Sequence, residues 1–403
     1  MLRDSRGYEF RMVAILCVAF GILTTEIFGI GFLAPFIARD LALSNVQTGA
    51  LFSGFWITYS ISSYVAGLIT DRWGKRKPIL LASLILVSLF SVLSSFATSF
   101  HTLLAARMLM GAVVGPFLPI AQTVIALESP ARRLGLYTGL LQSLGNNLLA
   151  VFLAPSIIVY IAVHYGWRSG FLVVIGPGLL CSILVAWLIR EPSSRHEAGT
   201  SEGLKGVSHL FRGRNMWLCM AGSSLLLAFI TITMGFLPKF FVDVRGFAPE
   251  SMSALMSVLG IAGAVLGVGL PALSDRLGRR PVMILACTLG VIAPLSAMYY
   301  SGSMVMAGAL LFLGWAAAGV TPLFLAIVPS ESVPKEFLST VIGLNIAVGT
   351  LIGGVGGPAL AGWAADQWGL RASVFIDVAC AALAALLALF IHETVPRMRA
   401  LET

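Results

Sequence analysis

Charge is what this chain has least of. Its 403 residues include 26 basic and 18 acidic side chains, so 11% are charged, against about 25% in an ordinary soluble domain. Hydrophobic residues make up 58%. A soluble globule cannot hide that much apolar surface, and a disordered chain needs the opposite balance. Cysteine is scarce and unpatterned. Cys17, Cys181, Cys219, Cys287 and Cys380 each lie in an apolar run, with no CxxC pair. That excludes a disulfide-stapled fold and reads as buried, reduced packing residues. The sequence also lacks a Walker A loop, HExxH, GxSxG and any Cys/His metal spacing, and none of its five histidines neighbours a Ser or Cys as a triad would need. ATP-driven pumping and hydrolysis have no residues to carry them. The chain is expected not to be an enzyme and to need no cofactor or metal.

What is present is long apolar runs. A membrane helix takes about 20 mostly apolar residues, and this chain has room for twelve. Helix 1 covers about 12–36, 41–70 holds helix 2, and 78–106 holds helix 3. Helix 4 spans about 103–127, 134–167 holds helix 5, and helix 6 lies at 169–189. Helices 7 and 8 follow at about 215–238 and 251–274. The uncharged stretch 281–330 holds helices 9 and 10 around Ser301-Gly302-Ser303, with helices 11 and 12 at about 337–365 and 372–391. The first run is too long for a signal h-region and has no small-residue cleavage site behind it, so it is expected to remain as helix 1. The fold class is all-α integral membrane.

Orientation follows from the basic residues. With the N-terminus inside, the inner segments hold 20 Lys and Arg and the outer loops hold five, Arg107 lying within a helix. The positive-inside rule then places both termini in the cytoplasm. The net charge of +8 is topological, which removes nucleic acid as a partner. A self-comparison shows a repeat at 203–204 residues: Gly31-Phe32-Leu33 returns as Gly235-Phe236-Leu237, Asp71-Arg72-Trp73-Gly74 as Asp275-Arg276-Leu277-Gly278, Gly115 as Gly319 and Gly145 as Gly349. The organisation expected is two pseudo-symmetric six-helix halves, 1–190 and 215–403, joined by a polar linker at 191–214. Parallel repeats of this kind mark secondary transporters, whose substrate site lies near the midplane between the halves.

The loop between helices 2 and 3 reads Gly67-Leu-Ile-Thr-Asp71-Arg72-Trp-Gly74-Lys75-Arg76, and that between helices 8 and 9 reads Pro271-Ala-Leu-Ser-Asp275-Arg276-Leu-Gly278-Arg279-Arg280. These resemble the GxLaDRxGRK signature of the major facilitator superfamily, and with the repeat the resemblance covers essentially the whole chain. It implies that Gly67, Asp71, Arg72, Gly74 and Arg76, with Asp275, Arg276, Gly278 and Arg280, form a gating motif that latches the cytoplasmic ends when the outside is open. The plainer alternative is a set of positive-inside anchors. Helix 4 runs Arg107-Met-Leu-Met-Gly111-Ala-Val-Val114-Gly115-Pro116-Phe-Leu-Pro119. This resembles the RxxxGxxEGPxxP pattern of the anion:cation symporters, which carry organic anions. The family's Glu falls on Val114, so the resemblance places no proton carrier there. Helix 5 lacks most glycines of the related Gly-Pro motif of drug:proton antiporters.

Two buried charges stand out. Glu26 lies near the centre of helix 1, where desolvation favours its neutral form. It is the leading proton-coupling candidate, with contact to a cationic substrate group or a structural pairing as alternatives. Arg107 is costly inside a membrane and is read as a partner for the substrate anion or as part of a proton relay. The alternative is a structural charge that snorkels or pairs. Tyr59, Gln142, Asn146 and Asn345 are candidate substrate-binding residues. Gln142 and Asn146 are four apart and share a helix face, although an interhelical hydrogen bond is the simpler role for any one of these. Asp377 and the Lys239/Asp243 pair lie near outer helix ends and read as snorkelling or surface-paired groups. The function expected is transport of a small carboxylate-type anion by proton symport with alternating access, the alternative being a proton-coupled efflux antiporter for drugs or metabolites. The expected partners are that anion, protons or sodium, and the lipid of an inner membrane, with the protein acting as a monomer.

Overall fold

The computed structural model describes residues 2–192, 213–333 and 338–394. Among the described residues there are helices and turns and no strand. We label the long helices α1 (Leu2–Asp40), α2 (Asn45–Trp73), α3 (Lys77–Ser95), α4 (Phe100–Glu128), α5 (Leu136–Tyr165), α6 (Trp167–Leu188), α7 (Arg214–Asp243), α8 (Pro249–Leu277), α9 (Arg279–Tyr299), α10 (Met304–Glu331), α11 (Val341–Trp368) and α12 (Arg371–Leu389). All except α2 meet both the length and the hydropathy needed to cross a membrane, and α2 is 29 residues long. The expected twelve-helix, all-α class is what folds. Helix 1 begins ten residues earlier than its apolar run, its polar first turns continuing the helix through Gly7. Most of the expected linker, 193–212, lies outside the described residues.

The helix ends follow local chemistry. Ser99 caps α4, accepting from the N–H of Thr102, whose hydroxyl in turn accepts from the Ser99 N–H. Ser303 caps α10 by accepting from Met306. Side-chain caps of this kind satisfy amides that the first turn leaves open. The turns repeat as the sequence does. Residues at positive φ come in pairs one repeat apart: Ala42 with Gly246, Gly74 with Gly278, and Gly166 with Gly369. Ala42, at φ 48, is the one member of these pairs that carries a Cβ.

The chain gathers into two compact units. Unit 1 comprises Met1–Leu43, Gly54–Ala198 and Phe247–Gly260, and unit 2 comprises Ser44–Ser53, Gly199–Gly246 and Ile261–Thr403. In unit 1 the most enclosed long helix is α1, and in unit 2 it is α7. Small residues make that possible. A Cβ on Gly145 of α5 would lie 2.6 Å from the carbonyl oxygen of Cys17 on α1, and one on Gly353 of α11 would lie 2.1 Å from that of Ser224 on α7. Without a hydrophobic drive between helices in lipid, such close backbone contact supplies the packing. Beside these glycines the backbone loosens to i→i+5 hydrogen bonding, over Leu141–Leu153 in α5 and Thr350–Gly356 in α11, and again over Leu323–Ile327 in α10.

The paired turn glycines yield a direct test. A Cβ on Gly74 meets nothing within 4 Å, whereas one on Gly278 would lie 2.7 Å from Glu393 Oε2. Gly74→Ala should cost about 1–2 kcal/mol of backbone strain alone. Gly278→Ala should lower the unfolding temperature in detergent further. Equal shifts would contradict this reading of the turns.

Candidate functional site

Glu26 sits on α1 with 3% of its surface exposed. The hydroxyls of Thr24 and Thr25 turn back to the carbonyls of Phe20 and Gly21, so they are satisfied within their own helix. Glu26 instead reaches α3. Ser91 Oγ lies 2.6 Å from Glu26 Oε1 and 2.5 Å from the Phe171 carbonyl oxygen of α6, and Glu26 Oε2 has no partner among the described residues. A serine hydroxyl has one hydrogen to donate, yet it makes two short contacts with oxygens. Ser91 therefore bridges Glu26 of α1 and the Phe171 carbonyl of α6 through one hydroxyl.

Arg107 of α4 is fully buried. Its Nη1 donates to the carbonyl oxygen of Glu26 at 2.8 Å and its Nη2 to that of Ile27 at 3.2 Å. The guanidinium lies over the Phe55 ring of α2, 4.7 Å from the centroid, while Nε is unpartnered. Arg107 thus neither snorkels nor uses a carboxylate in these contacts. It grips the backbone of α1 at the residue that carries the acid. Gly111 and Gly115 bring α4 this close to α2: a Cβ on either would lie 2.3 Å from the carbonyl oxygen of Phe55 or Tyr59. That approach puts Phe55 under Arg107. Tyr59 is half-buried, with its ring against Trp56 at 5.1 Å. Gln142 is exposed and Asn146 half-buried on the loosened stretch of α5.

In unit 2, Asn345 of α11 is fully buried. Its Oδ1 accepts from Ser223 at 2.9 Å, and its Nδ2 donates to the carbonyls of Phe324 and Leu325 at 2.6 and 3.0 Å. Those carbonyls lie in the i→i+5 stretch of α10. Asn345 joins α7, α10 and α11, and both hydrogens of its amide are used. Asp377, read from the sequence as snorkelling or surface-paired, is 3% exposed and accepts from Thr233 at 2.6 Å. The reason is that it faces α7 across a close packing of the first turns of α12. Lys239 is likewise buried, donating to Asn45 Oδ1 at 2.6 Å.

The loop motifs are organised by two acids that the motif analysis does not single out. The amides of Arg76 and Lys77, opening α3, donate to the carboxylate of Glu191 at 2.5 and 3.1 Å. Those of Arg279 and Arg280, opening α9, donate to Glu393 at 2.9 and 3.0 Å. A carboxylate on a helix N-terminus satisfies open amides and opposes the helix dipole. The available signal was an acid just after the last helix of each half. The side chain of Arg76 is buried, while Asp275 and Arg276 are exposed. Asp275 pairs with Arg279 at 2.5 Å, and Arg279 pairs with Glu331 at 2.8 Å. Gly67 and Gly74 have open space about them. The side chains of Asp71 and Arg72 lie outside the described residues. Among the described residues no group of three or more His, Cys, Asp or Glu could hold a metal ion.

Comparison with known proteins gives a consistent result. A family model described as Major Facilitator Superfamily matches residues 15–356 and again 272–402. A probable sulfoacetate transporter of Cupriavidus necator is 24% identical, over 94% of this chain and 93% of its own. The 3-(3-hydroxy-phenyl)propionate transporter of Escherichia coli is 31% identical over 82% and 81%. A multidrug resistance protein of Proteus mirabilis is 24% identical over 85% and 84%. In structure, a bacterial homologue of the human lysosomal transporter Spinster aligns with a TM-score of 0.77 at 17% identity, covering 95% of this chain and 96% of that one.

The geometry separates structural from exposed amides. Asn345→Leu removes the hydrogen bonds to Ser223 and to the Phe324 and Leu325 carbonyls, so it should cost about 1–3 kcal/mol and lower the unfolding temperature in detergent. Gln142→Leu should leave it within about 0.5 kcal/mol of the parent protein. The reverse order would show the assignment to be wrong.

Proposed function

The chain belongs to the Major Facilitator Superfamily, and from that premise we propose that it carries a small carboxylate-type organic anion by proton symport with alternating access. The setting we propose is a bacterial inner membrane, with both termini cytoplasmic and two six-helix halves, 1–190 and 215–403. The observation that carries the reading is the junction of α1, α3 and α4. There an acid with one unpartnered oxygen and an arginine meet at the same turn of α1.

Charge balance supplies the coupling. With Glu26 protonated, Arg107 is an uncompensated cation in a low-dielectric interior and favours an anion nearby. When Glu26 releases its proton, its carboxylate offsets that cation and the anion loses its attraction. Proton and anion therefore bind with positive coupling, and the coupling is reciprocal. Tyr59, Gln142 and Asn146 would shape the pocket, and Asn345 would position α11. The loop motifs, including Asp71, Arg72, Asp275 and Arg276, would hold the cytoplasmic ends closed during the outward-open part of the cycle. Relatives named for sulfoacetate and for an aromatic propionate support an anionic substrate.

A second reading, proton-coupled efflux of drugs or metabolites, is favoured by the multidrug-resistance relative. Proteoliposomes with imposed pH gradients separate the two. The symport reading expects carboxylate uptake to accelerate with an inward proton gradient. Extrusion of cationic dyes without carboxylate uptake would replace it with efflux.

Within the symport reading, Glu26→Gln should abolish gradient-driven accumulation yet leave substrate exchange intact. Survival of accumulation would sink the coupling role. Arg107→Ala should weaken anion binding at least about tenfold, the equivalent of ~1.4 kcal/mol. An unchanged KM for the anion would remove Arg107 from the site.

A further inference from the structure

Unit 2 contains a buried acid that the mechanism above does not use. We propose that Asp377 of α12 is a second proton-binding carboxyl, held by Thr233 of α7. Its role in transport rests on the proton-symport reading. Its protonation does not.

Three observations lead there. The first is burial: Asp377 is 3% exposed. The second is its hydrogen bonding. Oδ2 takes the Thr233 hydroxyl at 2.6 Å, and Oδ1 has no partner among the described residues. The third is that the charges on the helices packed against α12 are engaged elsewhere. On α7, Lys239 lies six residues beyond Thr233 and donates to Asn45. On α9, Arg279 is bound to Glu331 and Asp275, and Arg280 to the Leu389 carbonyl. On α11, the Asp366 carboxylate accepts from the amides of Asn45 and Val46. On α12 itself, Arg371 is exposed and Cys380 is the titratable neighbour one turn along. An ionised carboxylate here would be buried and met by one hydroxyl alone, a costly arrangement for a charge.

The arrangement repeats that of Glu26. Each is a buried carboxyl with one oxygen on a hydroxyl from a neighbouring helix and the other oxygen unpartnered. Thr233 also stands one repeat from Gly29, a single turn beyond Glu26. So α1 and α7, equivalent helices of the repeat, each meet an acid at a similar register position. One is carried on the helix and the other is presented to it. A neutral acid of this kind binds a proton while enclosed and releases it when the surrounding helices part and water reaches Oδ1. The step is simple loss of H⁺ from the carboxyl to water, and its return.

The test uses the full-length protein, with two readouts. Infrared spectroscopy of the purified transporter should show a deuterium-sensitive C=O stretch of a protonated carboxyl. This band should be lost in Asp377→Asn, retained in Glu26→Gln and shifted in Thr233→Val, which keeps the acid but removes its hydrogen bond. In proteoliposomes, the balance point between the substrate and proton gradients should fall by one proton per substrate in Asp377→Asn. If Asp377→Asn removes no such band, the proposal is overturned, and if it leaves the proton-to-substrate ratio unchanged, the role of Asp377 in transport is overturned. If the double variant Glu26→Gln/Asp377→Asn still accumulates substrate, the symport reading fails. The band assignment to Asp377 stands or falls separately.

Discussion

An ion within the membrane-spanning part of this chain must be answered by a polar group a few ångströms away, because there is no water to do it. Arg107 is answered by two carbonyl oxygens of α1 and by the face of Phe55. Lys239 is answered by Asn45. Much of the local architecture serves this requirement. Arg107 reaches α1 because α4 lies against α2 through two glycines. The partnership therefore depends on positions whose contribution is to have no side chain. Backbone carbonyls also differ from carboxylates as partners. They solvate the guanidinium without cancelling its charge.

The same economy governs the helix ends. Glu191 closes the start of α3, Glu393 that of α9 and Asp366 that of α2. In each case one carboxylate takes two amides of a helix that begins far from it in sequence. Each bond thus does two jobs. It satisfies a helix terminus, and it fixes where another helix must end. The positions are matched across the repeat for Glu191 and Glu393, so the two loop motifs are seated by equivalent contacts even though their exposed charges differ.

Much of the fold was legible in the sequence, because apolar run length and charge spacing decide helix number directly. The repeat was legible too, and it returns in the backbone as paired residues at positive φ. Of the site, Glu26 and Arg107 were legible as charges without water. Their partners were not. A carbonyl oxygen has no letter, and Ser91 is one serine among several on α3. Asp377 was placed too near the surface because distance from a helix end is a poor guide to depth where neighbouring helices pack closely. Asn345 was legible as a buried amide but not as the group that serves the loosened turn of α10. That loosening follows from packing and leaves no periodic trace. The side chains of Asp71 and Arg72 fall outside the described residues, so their part in the motif rests on resemblance.

The loosened stretches of α5 and α11 carry a consequence for how this chain tolerates change in length. A turn bonded i→i+5 holds one residue more than an α-turn. A single deletion there is absorbed by tightening the turn, and the residues beyond it keep their direction. In α1 or α7, which have no such slack, the same deletion would rotate everything after it by about 100°. Arg107 would then grip a different turn, or Thr233 would swing away from Asp377. The helices that line the two units can therefore drift by single residues, while the two they surround are fixed in length.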